Sequence, residues 1–206
     1  VRLKIVQVGE PVLRQRARPL LQEEIALPET QQLIIWMHET MRDAPGVGLA
    51  APQVGLPLQL AVIEDRPEYS KDIAADRLAE RERHVVPFQV LINPRIVEQS
   101  DQQVEFFEGC LSLAGFSALV KRSRQVAVEY WDERGQSRRI EAEGWYARIL
   151  QHEIDHLYGR LYIDRMESRS FMSIENLSRH WKDMPVQAVR QALGVHETAL
   201  GVLEAE

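Results

Sequence analysis

The period of the apolar positions changes several times along the chain. Leu33, Trp36, Met37 and Met41 recur at helical spacing, with Pro28 and Glu29 suited to a first turn and Pro45-Gly46 to a stop, so a helix is predicted over 28–43. A glycine-rich loop follows, Gly46-Val47-Gly48-Leu49-Ala50-Ala51-Pro52-Gln53, and then a strand over 58–64. Residues 65–84 are dense in charge and read as a solvated, partly helical excursion. Strand signals then dominate at 90–93, at 104–107 and in the alternation of Val126, Val128 and Tyr130 before the turn Asp132-Glu133-Arg134-Gly135. Short neighbouring strands joined by turns imply antiparallel pairing. The period returns to helical over 144–158, with Gly159 as a natural stop. Residues 161–164 read as a last strand, and Ile174, Leu177 and Trp181 as one face of a helical segment interrupted near Pro185. The predicted class is α+β: antiparallel β-sheets packed around a central helix, the one over 144–158.

Length and composition narrow the picture. At 206 residues, 45% of them apolar and 27% charged, the chain suits one globular domain over 1–206, with 194–206 expected to be a frayed tail. No apolar run approaches bilayer length, and the start, Val1-Arg2-Leu3-Lys4-Ile5-Val6, lacks the apolar core of a secretory signal; a first Val fits processing or trimming. No membrane partner is expected. A net charge of -6 argues against direct nucleic-acid binding, which rewards clustered Lys and Arg, so a peptide or small molecule is the expected partner. The single cysteine, Cys110, excludes an intramolecular disulfide and suits a reducing compartment.

The sharpest chemical signal is His152-Glu153-Ile154-Asp155-His156, an HExxH pattern within the central helix. Positions four apart share a helical face, so both imidazoles can reach one metal ion while Glu153 flanks it. A shuffled chain of this composition would carry the pattern roughly 2 times in 100. Trp145, Ile149, His152 and His156 form one stripe, and Ala147, Leu150, Ile154 and Leu157 a second. A helix with two apolar faces is central to its fold, and histidines on it need partners, which a metal supplies.

Two histidines do not complete a catalytic centre, which usually has three protein ligands and an open position. Continuing the motif as in HExxHxxGxxH proteases puts Tyr162 where a third His would stand, and Glu175 is a downstream candidate with nothing around it to support the role. Cys110, in Glu108-Gly109-Cys110-Leu111-Ser112, would be a strong ligand as a thiolate, although a lone cysteine is more often a small buried hydrophobe. A metallopeptidase or other metal-dependent hydrolase, and a non-catalytic metal-stabilised or peptide-binding module, are the readings to separate.

Three segments together resemble the signature motifs of peptide deformylases in order and separation: Gly46 to Gln53, Glu108 to Ser112, and Gln151 to His156. The resemblance covers about residues 3–170, including Pro11-Val12-Leu13 and Leu91-Ile92-Asn93-Pro94; Gly115-Phe116 and Trp145 resemble the organelle-type branch and its bacterial relatives. Beyond 170 the likeness fades. From Ser173 onward the chain has three Lys or Arg against five Asp or Glu, unlike relatives with a basic ribosome-docking helix.

The resemblance implies hydrolysis of the formyl group from the formyl-methionine of nascent polypeptides, with release of formate. It implies Cys110, His152 and His156 as metal ligands with water in the fourth position, and Glu153 as general base. Gln53 and the backbone N–H of Leu111 become the oxyanion donors. The ion expected is Fe2+, with Zn2+, Ni2+ or Co2+ as substitutes. The substrate would lie as a strand along Val47, Gly48 and Gly109, its methionine among Phe106, Val47, Trp145 and Ile149. Asp155 would orient a ligand, pair with Arg122 or stand as a solvated carboxylate on the helix face. Ribosome proximity without a basic anchor, and a bacterial cytoplasm or else a mitochondrion or plastid, complete the expectation.

Overall fold

Leu60, Ala61, Val62 and Ile63 are all fully buried, and strand alternation divides them between two cores. Ala61 and Ile63 join Leu91, Val126 and Val128 in one cluster, whereas Leu60 and Val62 join Val90 and Ile92 in another. A sheet apolar on both faces must be covered on both, and two helices cover this one.

The computed structural model describes residues 1–195, so the expected tail lies, from residue 196 on, outside the described residues. In chain order the elements are α1 (Gln22–Ile25), α2 (Pro28–Asp43), β1 (Gly48–Ala50), β2 (Leu60–Asp65), α3 (Ala75–Glu80), β3 (Val86–Gln99), β4 (Gln103–Cys110), β5 (Leu113–Ser123), β6 (Gln125–Trp131), β7 (Ser137–Glu143), α4 (Gly144–Leu157), β8 (Met172–Ser173), α5 (Ile174–Asn176) and α6 (Val186–Ala192). The strands form a five-stranded sheet, β1-β2-β3-β6-β7, and a three-stranded one, β4-β5-β8, and every pairing is antiparallel. Leu33, Ile34, Met37 and Met41 of α2 pack on one face of the larger sheet, and Ala147, Leu150, Ile154 and Leu157 of α4 on the other. The α+β expectation with a central helix holds.

Gly159, at φ +72°, ends α4 as expected; a Cβ there would sit 2.7 Å from the Arg14 carbonyl oxygen. Residues 161–164 are not a strand. They form a 3-10 turn, Tyr162–Asp164, because the Asp164 carboxylate accepts the Leu161 N–H at 2.8 Å and closes the chain on itself. Tyr162 thereby points inward to a third cluster with Leu113, Ala118 and Val120. The helical segment after 173 is broken into α5, a π turn over Leu177–Trp181, and α6. Among the described residues no helix is long and apolar enough to cross a membrane.

Candidate metal centre

Two elements meet at the site. α4 carries Glu153 between its two histidines, and β4 ends at Cys110, where the pairing with β5 shifts register between Gly109 and Cys110. Cys110 faces α4. Its Sγ lies 3.3 Å from His156 Nε2, and one ligand atom from each of Cys110, His152 and His156 fits within a 4.8 Å circle of separations. Bond lengths near 2.3 Å for sulfur and near 2.0 Å for nitrogen put ligands of a tetrahedral ion about 3.5 Å apart, so the cluster suits one ion.

The donors are prepared for that role. Glu108 Oε2 lies 3.0 Å from His152 Nδ1, which fixes the proton there and leaves Nε2 free to ligate. Burial holds His156 well below its usual range and hence neutral. Glu108 itself is the centre of a buried ionic group. Burial would push its carboxyl up, but Arg122, bound through two contacts at 2.9 and 3.0 Å, and His152 hold it well below the carboxylate range. Arg148 adds a contact at 2.6 Å. Arg122 also binds Asp155, which Arg165 grips at 2.7 and 2.9 Å. Asp155 therefore pairs with Arg122, one of its three expected readings, and is not solvated.

Glu108 orients His152 and balances buried cations at once, so its removal is expected to act twice. For Glu108→Ala we expect metal affinity to fall about ten- to hundredfold and stability to fall by about 3 kcal/mol, because Arg122 and Arg148 lose a buried counter-charge. Chelator competition and urea unfolding measure the two effects. Unchanged affinity would remove Glu108 from the support of His152.

Glu153 differs from every other buried acid here. It is 3% exposed, its Oε2 has no partner, and burial pushes it up to about 7. A carboxylate kept dry and unpaired, one residue from a candidate metal-ligating histidine, lacks only a cation or a proton to share. Gln53 is buried too: its Oε1 accepts from Ala50 N–H at 2.8 Å, which directs Nε2 toward Ser112 Oγ at 3.3 Å and Cys110 Sγ at 3.5 Å.

These groups open into a cavity of about 420 Å³ lined by Val47, Gly48, Gly109, Leu111, Trp145 and Ile149 among others. Phe106 is not on its wall; it lies edge-on to Trp145 at 6.3 Å between ring centres, and Phe107 borders the cavity instead. Glu175, the rival ligand, is exposed and bound to Arg179. Sequence reasoning gave no role to Glu108 or Arg148. Strand alternation places Glu108 on the face of Cys110, and helical spacing places Arg148 four before His152, so both signals were present.

A family model described as Polypeptide deformylase matches residues 2–171. Peptide deformylase 1 of Bifidobacterium longum is 47% identical over 184 residues, 89% of this chain and 82% of that protein. The chloroplastic peptide deformylase 1A of Solanum lycopersicum is 44% identical over 191 residues, 93% of this chain and 67% of that protein; for the Arabidopsis thaliana counterpart the latter share is 65%. A crystal structure of class I type b peptide deformylase from Acinetobacter baumannii with Met-Ala-Ser bound superposes with a TM-score of 0.72 at 32% identity, covering 81% of this chain and 99% of that one.

Proposed function

This chain belongs to the polypeptide deformylase family and is a hydrolase that removes the N-formyl group from newly made polypeptides; from that premise we propose that Cys110, His152 and His156 hold one divalent ion and that Glu153 moves the proton. The observation that carries this reading is the convergence of three ligand atoms within 4.8 Å beside a buried, unpartnered carboxylate in one cavity. A structural metal site needs no such base.

When bound, the ion acts as a Lewis acid toward water and the formyl oxygen, making a nucleophile available near neutral pH. Glu153 accepts the proton of the attacking water and delivers it to the departing amine nitrogen as the carbon–nitrogen bond breaks. Formate and a free N-terminus leave. Negative charge that develops on the formyl oxygen meets the Gln53 side-chain amide and the Leu111 N–H. Gln53 is held for this by its own carbonyl, anchored on Ala50.

Substrate enters between two sheet edges. β1 ends the larger sheet and β4 the smaller, so Gly48 and Gly109 stand on free edges that an extended peptide can join, beside Val47, whose own carbonyl accepts the Glu64 N–H at 3.0 Å. Its first side chain fits the apolar wall of Val47, Trp145 and Ile149, with Phe106 supporting Trp145 from behind. The partner is the formyl-methionyl nascent chain, met near the ribosome. The compartment follows the supply of formylated chains, a bacterial cytoplasm or an organelle; the relatives include both kinds.

A cysteine and two imidazoles suit several first-row ions. We assign Fe2+, on the resemblance of the three motifs. Protein reconstituted anaerobically with iron is expected to outperform zinc-loaded protein, and air to erode the difference. Formyl-Met-Ala-Ser, acetyl-Met-Ala-Ser and an unstructured protein are supplied in parallel, and formate, acetate and new N-termini are measured. Formate from the first alone supports the reading. Internal cleavage faster than formate release would establish a peptidase instead, and equal, air-stable activity with zinc would remove iron.

A further inference from the structure

Residues 81–83 close the charged excursion between β2 and β3, and they are fixed at every position. Arg83 grips Asp65 through contacts of 2.8 and 2.9 Å, and both side chains are nearly buried. Glu82 sits at φ 49° and binds Arg124. Beneath them runs Gly144, at φ +59°, so close that an added Cβ would lie 2.9 Å from the carbonyl oxygens of Arg81 and Glu82. The end of the excursion is thus fastened to the first turn of the metal helix.

Arg81 is carried by this clamp to an unusual place. Its guanidinium lies 5.3 Å from the Trp145 ring centre and 5.8 Å from that of Phe106, and its buried Nε has no hydrogen-bond partner. After burial, the charge acting on it most strongly is another guanidinium, that of Arg83, which is also 5.3 Å from the Trp145 ring. What compensates a cation in such surroundings is the negative face of the aromatic rings. Trp145 in turn has no polar anchor, because its buried Nε1–H is unpartnered. Its ring is held by the Phe106 edge and by the guanidiniums around it, Arg148 at 5.9 Å being the third.

We propose that Arg81 is a positioning residue for substrate selection, holding Trp145 in place as the wall against which the first side chain of the substrate packs. The inference rests on the reading that Trp145 borders the methionine site. Arg81 touches neither the metal ligands nor the reacting atoms. It sets how well a methionine side chain is distinguished from a smaller one, and a segment whose composition suggests simple solvation becomes part of the specificity apparatus.

The test uses the full chain, metal-loaded, with formyl-Met-Ala-Ser and formyl-Ala-Ala-Ser. The ratio of kcat/KM for the two substrates on one preparation is independent of how much protein is folded. Arg81→Met keeps the apolar stem and removes the charge; it is expected to lower the ratio about three- to thirtyfold, as loss of a desolvated cation–π contact implies. The change should lie in KM for the methionyl substrate with kcat nearly kept, and Arg81→Lys should restore most of it. Trp145→Ala should lower the ratio as well, and adding Arg81→Met to it should change nothing further. A ratio unmoved by Arg81→Met but lowered by Trp145→Ala overturns the role of Arg81. A ratio unmoved by either overturns the Trp145 wall, and the inference with it. Equal losses of kcat on both substrates would mark Arg81 as purely structural and overturn the proposal too.

Discussion

A Glu153→Gln protein is expected to keep its metal and lose turnover by about 10²- to 10⁴-fold, the range a positioned acid–base group contributes. The amide matches the carboxylate in shape but accepts no proton from water. Cys110, His152 and His156 remain, so metal content should stay at that of the parent. Stability should not fall, because the replaced carboxylate is buried with an unpartnered oxygen, and a neutral isostere relieves that desolvation. Formate release, metal analysis and thermal unfolding of one preparation give the three results. Metal-loaded variant working within about tenfold of the parent would remove Glu153 from proton transfer.

Gly48→Ala is expected to leave fold and metal intact and to lower kcat by about 10²-fold or more. A Cβ at Gly48 would overlap the Glu153 carboxyl and come 2.7 Å from its Cγ. Those atoms are the far end of a flexible side chain, so Glu153 can swing away at small energetic cost. Catalysis cannot follow it, since a displacement near 1 Å from the reacting geometry costs about 10²-fold. The substitution should therefore separate activity from stability. It should also add little to Glu153→Gln, because both act on one group. If Gly48→Ala lowers the residual activity of Glu153→Gln by the same factor as in the parent, it acts on the substrate strand instead.

Spacing alone determined a good part of this protein. The helices over 28–43 and 144–158 were legible because a face repeated every three or four residues is a property of one short segment, and the same spacing put His152, Glu153 and His156 together. Sequence reasoning missed β1, β5, β7 and β8, and for β7 and β1 the reason is that their pairing decides them. β7, with Ile140 half-buried and Ala142 its only buried residue, shows little alternation and exists because β6 pairs with it along its whole length. β1 is three residues long and depends on β2. Residues 161–164 carry strand-forming side chains, yet Asp164 curls them into a turn.

The site divides in the same way. Cys110 was joined to the histidines only through the resemblance of three motifs, since no local pattern connects positions more than forty residues apart in the chain. That Cys110 Sγ comes within 3.3 Å of His156 Nε2 was decided by the meeting of β4, β5 and α4. Charge was the least legible signal. Glu108 and Arg148, to which the sequence gave no role, are buried together with Arg122 and Asp155, as are Asp65 and Arg83 in a segment that looked like surface. A charged side chain carries no mark of its counter-ion in its own neighbourhood; whether it stays in water is settled by what the folded chain brings opposite it.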